Sequence, residues 1–194
     1  KDLPAQTKDA RFVLDRVLRL DPSAAGIPRA DDDRMAVAGH SFGGATALSL
    51  ASKCCRDERV DAVVALAAVT DPEQGPTLKR PAGPVLFVHA RRDRQVAHAD
   101  AAALCATAST PKRFLTVETI AGMRGHVVPY VGEGDAYSAV VRPAIVDFLD
   151  GYVRDDPAAR RRLDAVATDP AVASLARCRK GDSPTAQPPV TSPE

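Results

Sequence analysis

The sequence contains no tryptophan and few aromatic residues, which make up 4% of its 194 positions. Platforms that stack nucleic-acid bases or sugars depend on such side chains, so their scarcity argues against a module that binds either ligand. An excess of one charge is also lacking, because 26 basic residues stand against 25 acidic ones and leave a net charge of +1. The overall charge therefore gives no indication that the protein binds nucleic acid or an anionic membrane surface.

No apolar run approaches the length that crosses a bilayer, so no membrane span is expected. The chain begins Lys-Asp-Leu-Pro without a charged and then apolar leader. Any signal peptide would have to lie upstream, and the compartment stays open.

The four cysteines form no C-x-x-C pair and have no histidine spacing typical of zinc, so no metal site is expected. Cys54 and Cys55 are adjacent, and at most a bridge from this pair to Cys105 or Cys178 is plausible. Structural or free thiols are therefore the favoured interpretation.

Patterns of strand and helix alternate along most of the chain. Apolar spacing over residues 6–20 predicts an amphipathic helix that packs Phe12, Val13, Val17 and Leu20 on a sheet. Apolar runs predict strands at residues 35–39, 60–69, 84–89 and 113–120, and helices at 45–53, 100–107 and 137–153. This alternation predicts an α/β fold with a doubly wound, mostly parallel sheet.

The chain is expected to hold one main α/β domain over residues 1–154. A terminal helical segment follows over 155–179, with one helix at 158–167 and another at 170–178. The tail over 180–194 is rich in Ser, Thr, Pro and Gln and is expected to be disordered.

The most informative stretch is Gly39-His40-Ser41-Phe42-Gly43, which fits the G-x-S-x-G pattern of a nucleophile elbow. A serine at the apex of a tight strand-to-helix turn has a strained backbone and an exposed hydroxyl. The residues two before and two after it crowd each other, so both are expected to be small. The following helix directs its N-terminal amides at negative charge near the serine, and the Phe42 N–H is the expected oxyanion donor.

A serine nucleophile needs a base, and the base needs an orienting carboxylate. His126 follows the fourth strand, in a loop expected to be flexible between glycines, and is the preferred base. His40 is expected to point away from Ser41, His89 to pack a loop, and His98 to face solvent at a helix start.

Two aspartates compete for the role of acid. Asp93 follows the third strand within His89-Ala90-Arg91-Arg92-Asp93-Arg94, where three arginines would favour its ionised form or could equally form a solvated turn. Asp71 follows the preceding strand and is the alternative. Asp93 is preferred.

The order Ser41, Asp93, His126 is that of the α/β-hydrolase fold. The Gly-His-Ser-Phe-Gly-Gly elbow, the Arg-Arg-Asp-Arg-Gln-Val-Ala segment and the Gly-His loop resemble one branch of that fold. It includes cutinase-like polyester hydrolases, chlorophyllase-like and dienelactone-hydrolase-like esterases, and relatives of platelet-activating factor acetylhydrolase.

In the acetylhydrolase relatives the acid tends to follow the earlier strand, which keeps Asp71 open as the alternative acid. Val69-Thr70-Asp71 lacks the aromatic of polyester hydrolases, which argues against polyester substrates.

Such hydrolases have several strands before the elbow, including a loop with a second oxyanion donor. Here one helix and one loop precede it, so the chain is interpreted as the C-terminal part of the fold with its early strands absent. Its first strand would then be an exposed apolar edge. A missing N-terminal segment of the same protein is accordingly an expected partner.

The resemblance implies a serine hydrolase that cleaves a small-molecule carboxylic ester through an acyl-serine, without cofactor or metal. Met123, Val127, Val128 and Thr70 are expected to border the substrate pocket. Two alternatives remain: a non-catalytic binding module or inactive fragment, and an amidase, thioesterase or acyltransferase that uses the same triad.

Overall fold

The computed structural model describes residues 2–26, 28–52, 55–70, 83–108, 111–167 and 169–178. Over these ranges the chain forms seven helices and five strands, and the predicted α/β fold is confirmed. The elements, in chain order, are α1 (Leu3–Leu18), α2 (Pro22–Ala25), β1 (Ala36–His40), α3 (Phe42–Leu50), β2 (Ala62–Leu66), β3 (Val85–Arg92), α4 (His98–Thr107), β4 (Lys112–Ala121), α5 (Gly122–Val131), α6 (Ser138–Val153), α7 (Pro157–Asp164) and β5 (Ala173–Ala176).

The five strands form one sheet in the order β1-β2-β3-β4-β5. The first four are parallel, and β5 pairs antiparallel with β4. The carboxyl ends of parallel strands meet at one edge of a sheet. Segments that follow β1, β2, β3 and β4 are therefore brought together there, and this edge positions the candidate site.

Helices cover both faces of the central strands. On β3, Val85 and Phe87 pack with α3 and α4, whereas Leu86 and Val88 pack with α6 and α7. Successive strand residues point to opposite faces, so a strand covered on both sides must be apolar at nearly every position. This explains the continuous apolar runs in the sequence.

Helix α1 is present, but the prediction of its packed face is wrong. Phe12 and Val13 are 64% and 58% exposed, and Val17 and Leu20 are exposed as well. The helix contacts α3 instead, with Thr7 as its buried residue. Helical spacing identifies an apolar stripe on α1, whereas the neighbouring helix decides which face becomes buried.

Strand β1 lies at one edge of the sheet formed by the described residues. Its side chains are exposed or half-buried rather than buried. Within the described part of the chain, no helix is long and apolar enough to cross a membrane.

The C-terminal region differs from its prediction. The helix expected at 158–167 is present as α7, but the helix expected at 170–178 is wrong, because this segment contains β5. Its residues pair with Phe114–Val117 on the free edge of β4, and that pairing outweighs local propensity. The tail over 180–194 lies outside the described residues.

The expectation of structural or free thiols is also wrong. Cys105 on α4 and Cys178 after β5 form a disulfide with a Cα–Cα distance of 5.8 Å. The partners are 73 residues apart, and β5 brings them together by returning to the sheet. None of the cysteines that the structure describes is free.

Candidate active site

Ser41 forms the turn between β1 and α3. Its backbone has φ 55° and ψ −120°, which is strained for a residue with a side chain and costs about 1–3 kcal/mol. Hydrogen bonds hold this conformation. The Ser41 N–H donates to the carbonyl of Leu66 at 2.9 Å, and the Ser41 carbonyl accepts from the amides of Gly44 and Val69, each at 3.0 Å. The elbow is therefore tied to the end of β2.

Two glycines allow the chain to turn so tightly. A Cβ on Gly39 would lie 2.1 Å from the carbonyl oxygen of Gly43, and one on Gly44 would lie 2.6 Å from the Cβ of Ala68. The expectation that Gly43 must also be small is wrong, because a Cβ there would meet open space. The crowding comes from the Gly43 backbone, and Gly44 is the second position that a side chain would disturb.

His126 lies on α5, directly after β4, and not in the flexible loop that was predicted. Gly122 begins the helix with φ 64°, a conformation that glycine adopts without strain. Tyr130 donates its hydroxyl to the Val88 carbonyl at 3.2 Å and so ties α5 to β3. Two early glycines and Pro129 lower the intrinsic helix propensity of this segment, and packing on β3 and β4 overrides it.

Ser41, His126 and Asp93 form a continuous row of hydrogen bonds. Ser41 Oγ lies 3.0 Å from His126 Nε2, and His126 Nδ1 lies 2.7 Å from Asp93 Oδ2. A carboxylate only accepts, so Nδ1 carries the proton in the neutral ring. Nε2 then presents its lone pair to the Ser41 hydroxyl, the arrangement in which a base can take that proton.

The Asp93 carboxylate is buried and surrounded by donors. Oδ1 accepts from the backbone amides of Gln95 at 2.8 Å and Val96 at 3.1 Å. Burial raises the pKa of this carboxyl, but hydrogen bonds from His89, His126 and the two amides outweigh burial and hold its pKa well below the usual range. Asp93 is therefore ionised at neutral pH.

The neighbouring arginines do not explain this ionisation. Arg91 forms a bidentate ion pair with Glu118: Nε donates to Oε2, and Nη2 donates to Oε1 at 2.8 Å. Arginines were expected to favour the ionised form of Asp93. Hydrogen-bond donors are instead the main cause that lowers the pKa of this carboxyl. Arg91 and Glu118 link β3 to β4 instead.

Of the other three histidines, His40 contacts His126 and His89 contacts Asp93, while His98 lies beside His89. His40 Nε2 lies 2.6 Å from the carbonyl oxygen of His126, so it donates there and helps to hold the backbone of the candidate base. The prediction that His98 faces solvent is wrong, since it is buried and bonded to Thr116 Oγ1 at 3.0 Å. His89 is buried within β3, four residues before Asp93, and bonds the Val96 carbonyl in the loop after β3, as expected of a residue that packs a loop.

The residues expected to bind substrate have different environments. Met123 is exposed one turn before His126, and Val127 is half-buried next to it. Val128 packs against the core between the sheet and α6. Thr70 is buried after β2, and its hydroxyl has no hydrogen-bond partner.

Phe42 is the first residue of α3 and follows Ser41 directly, so its amide lies at the N-terminus of that helix. The alternative acid, Asp71, lies outside the described residues. The geometry therefore bears on Asp93 alone.

Residues 28–123, just under half of the chain, match the family model described as "Platelet-activating factor acetylhydrolase, isoform II". The matched range contains Ser41 and both candidate acids, and ends three residues before His126. A comparison with curated proteins found no match. The match confirms the resemblance to the platelet-activating factor acetylhydrolase branch of the α/β hydrolases, and supports a hydrolase.

Proposed function

We propose that the chain is a serine hydrolase that cleaves carboxylic esters through an acyl-serine intermediate. One observation carries the proposal: a buried carboxylate, an imidazole and a serine hydroxyl are joined by hydrogen bonds of 2.7 and 3.0 Å at the carboxyl edge of a parallel sheet. These are the groups and the order that acyl transfer through serine requires.

In the first half of the reaction, Ser41 Oγ attacks the ester carbonyl carbon while His126 Nε2 takes the hydroxyl proton. Asp93 keeps the proton on Nδ1 and stabilises the imidazolium that forms. When the tetrahedral intermediate collapses, the bond to the leaving alcohol breaks. His126 then returns its proton to the alcohol oxygen, and an ester on Ser41 remains.

The negative oxygen of the intermediate needs a donor placed near Ser41. We assign this role to the Phe42 amide, because it follows the nucleophile and begins α3, whose N-terminal dipole favours negative charge. A single donor of this kind contributes roughly a hundredfold or more in turnover.

In the second half, a water molecule gives one proton to His126 Nε2 and attacks the acyl carbon. The bond to Ser41 breaks, the proton passes to Ser41 Oγ, and a carboxylic acid is released. The cycle restores the starting protonation states, so the proposed reaction needs no cofactor or metal.

We propose Met123, Val127 and Thr70 as the residues that contact the substrate, because the first two lie beside His126 and Thr70 follows Val69, whose amide donates to the Ser41 carbonyl. Val128 packs into the core and is a weaker candidate. The family name refers to removal of an acetyl group, so acetyl esters are the first substrates to test.

Labelling with a fluorophosphonate probe tests the nucleophile. Wild-type chain is expected to be labelled, and Ser41→Ala is expected to remain unlabelled. Ser49→Ala is the matched control, because Ser49 is a buried serine of α3, the helix that follows Ser41, with no hydrogen-bond partner for its hydroxyl. An unlabelled wild-type chain would favour the non-catalytic alternative.

Turnover of p-nitrophenyl acetate, a matched anilide and a matched thioester tests the reaction class. The ester is expected to be cleaved fastest. Preferential cleavage of the anilide or the thioester, or transfer of the acetyl group to an added alcohol rather than to water, would replace the esterase proposal by an amidase, thioesterase or acyltransferase.

A further inference from the structure

His89 is a buried polar side chain that the proposed reaction does not use. It lies on β3, and its side chain is 1% exposed. A buried imidazole is costly unless its polar atoms have partners. The partners of His89 therefore indicate why it lies there.

The Nε2 atom of His89 faces two oxygens. It lies 3.1 Å from the carbonyl of Val96 and 3.4 Å from Asp93 Oδ2. A carbonyl and an ionised carboxylate can only accept, so Nε2 must carry a proton and act as the donor to both. The shorter contact is the main hydrogen bond, and the longer one is a shared contact with the carboxylate.

These contacts close a ring around the carboxylate. The Val96 amide donates to Asp93 Oδ1 at 3.1 Å, while the Val96 carbonyl accepts from His89. Strand β3, through His89, thus holds the turn that carries Asp93. On the other carboxylate oxygen, the His89 contact lies beside the 2.7 Å bond from His126 Nδ1.

We propose that His89 is a positioning residue, which holds the Asp93 carboxylate and its turn in the orientation that His126 requires. This inference rests on the proposed Ser41, His126 and Asp93 chemistry. His89 touches neither substrate nor the reacting atoms, and it acts through Asp93.

The expected effect follows from the geometry. Without the donor, the turn at residues 93–96 keeps the bond from the Asp93 amide to the Ala90 carbonyl but loses the side-chain bond from β3, and the carboxylate is held less firmly against His126 Nδ1. A displacement of about 1 Å in a catalytic group can cost on the order of a hundredfold in rate. Substrate binding does not involve His89, so KM is expected to stay nearly constant while kcat falls.

A neighbouring histidine provides a matched control. His98 is also buried, and its ring lies edge-on to the His89 ring with 5.8 Å between centroids. It bonds Thr116 Oγ1 rather than the Asp93 turn. A purely structural role for buried histidines predicts similar kinetic losses at both positions, whereas positioning of Asp93 predicts a loss only at His89.

The test compares His89→Leu, His89→Gln and His98→Gln with wild type, using kcat and KM on p-nitrophenyl acetate and thermal unfolding to verify folding. His89→Leu is expected to lower kcat by about 10- to 100-fold with KM within about twofold. His89→Gln, whose side-chain amide can still donate, is expected to recover most of that loss. His98→Gln is expected to keep the wild-type kcat.

A second measurement is independent of turnover. The proton on His126 Nδ1 is expected to give a downfield NMR signal that changes in His89→Leu but not in His98→Gln. The inference is overturned if folded His89 variants keep both the wild-type kcat and this signal, or if Leu, Gln and the His98 control all lower kcat equally. An inactive wild-type chain would instead contradict the proposed function, and the NMR comparison would then decide the role of His89 alone.

Discussion

The Nδ1 atom of His126 lies 2.7 Å from Oδ2 of Asp93, although the two residues are 33 positions apart. Asp93 follows β3 and His126 lies one turn into the helix that follows β4. These strands are parallel neighbours, so their carboxyl ends bring the two side chains to the same edge of the sheet.

Replacing Asp93 by Asn is expected to lower kcat on p-nitrophenyl acetate by about 10³- to 10⁴-fold, because the amide can donate to Nδ1 and favour the wrong tautomer of His126. Asp100→Asn is the matched control, since Asp100 is an exposed acid in the first turn of α4. It is expected to keep wild-type turnover.

Asp71→Asn completes that comparison. It is expected to retain most of the activity. If Asp71→Asn abolishes turnover while Asp93→Asn preserves it, the acid has been assigned to the wrong residue.

Alanine substitutions at Gly39 and Gly43 in the elbow are expected to affect the free energy of unfolding differently. Gly39→Ala places a Cβ 2.1 Å from the Gly43 oxygen and is expected to lower the free energy of unfolding by at least about 2 kcal/mol. Gly43→Ala meets open space in a helix, so the free energy of unfolding should stay constant or rise by less than about 1 kcal/mol. Urea unfolding measures both. Equal stability of the two variants would contradict the close approach of Gly39 to the Gly43 backbone.

The free energy of unfolding is expected to depend on pH because the pKa of His98 differs between the folded and the unfolded chain. Burial is the main cause that lowers its pKa from 6.5 to about 4. Between these values the unfolded chain binds a proton that the folded chain excludes, so the free energy of unfolding falls as pH decreases from about 6.5 to about 4. The full contribution of this group is about 3 kcal/mol.

Urea unfolding of wild type and His98→Gln at several pH values measures that contribution. The difference in free energy of unfolding between wild type and His98→Gln is expected to change between about pH 4 and pH 6.5 and to be constant above that range. Parallel curves across the whole range would show that His98 does not titrate differently in the folded and unfolded chains.

The disulfide between Cys105 and Cys178 is expected to stabilise the fold by about 4 kcal/mol, because it restricts a long loop in the unfolded chain. The variant that replaces both cysteines by serine should therefore unfold at a lower temperature under oxidising conditions. Substitution is preferable to a reductant here, because Cys55 is also disulfide-bonded. An unchanged unfolding temperature would contradict this contribution.

The order of elements could be predicted from the sequence because it depends on local patterns. Continuous apolar runs and the glycines around Ser41 indicated buried strands and a tight turn, and β1 to β4 were found where these runs lie. The same reasoning proposed Ser41, Asp93 and His126, since it searched only the ends of strands. Their hydrogen-bonded geometry supports that choice, while their roles stay predictions.

Local patterns could not indicate the surroundings of each element. The apolar stripe of α1 was assigned to the core, yet Phe12 is exposed and Thr7 is buried, because α3 contacts the other face. The segment before Cys178 was expected to be helical, yet it pairs with β4 and brings this cysteine to Cys105. Both outcomes depend on residues distant in the sequence.

The sequence by itself indicated the elbow at Ser41 and the small residue at Gly39, whereas only the structure showed that Gly44, rather than Gly43, is the second position that a side chain would disturb. It also determined the order of the three side chains that are proposed to be catalytic, Ser41, Asp93 and His126. Only the tertiary structure decided what fixes Asp93: its own turn, His126 from the helix after the adjacent parallel strand, and His89 from within β3. Those contacts form when parallel strands align and the site is enclosed, so their physical cause is packing and burial rather than local propensity.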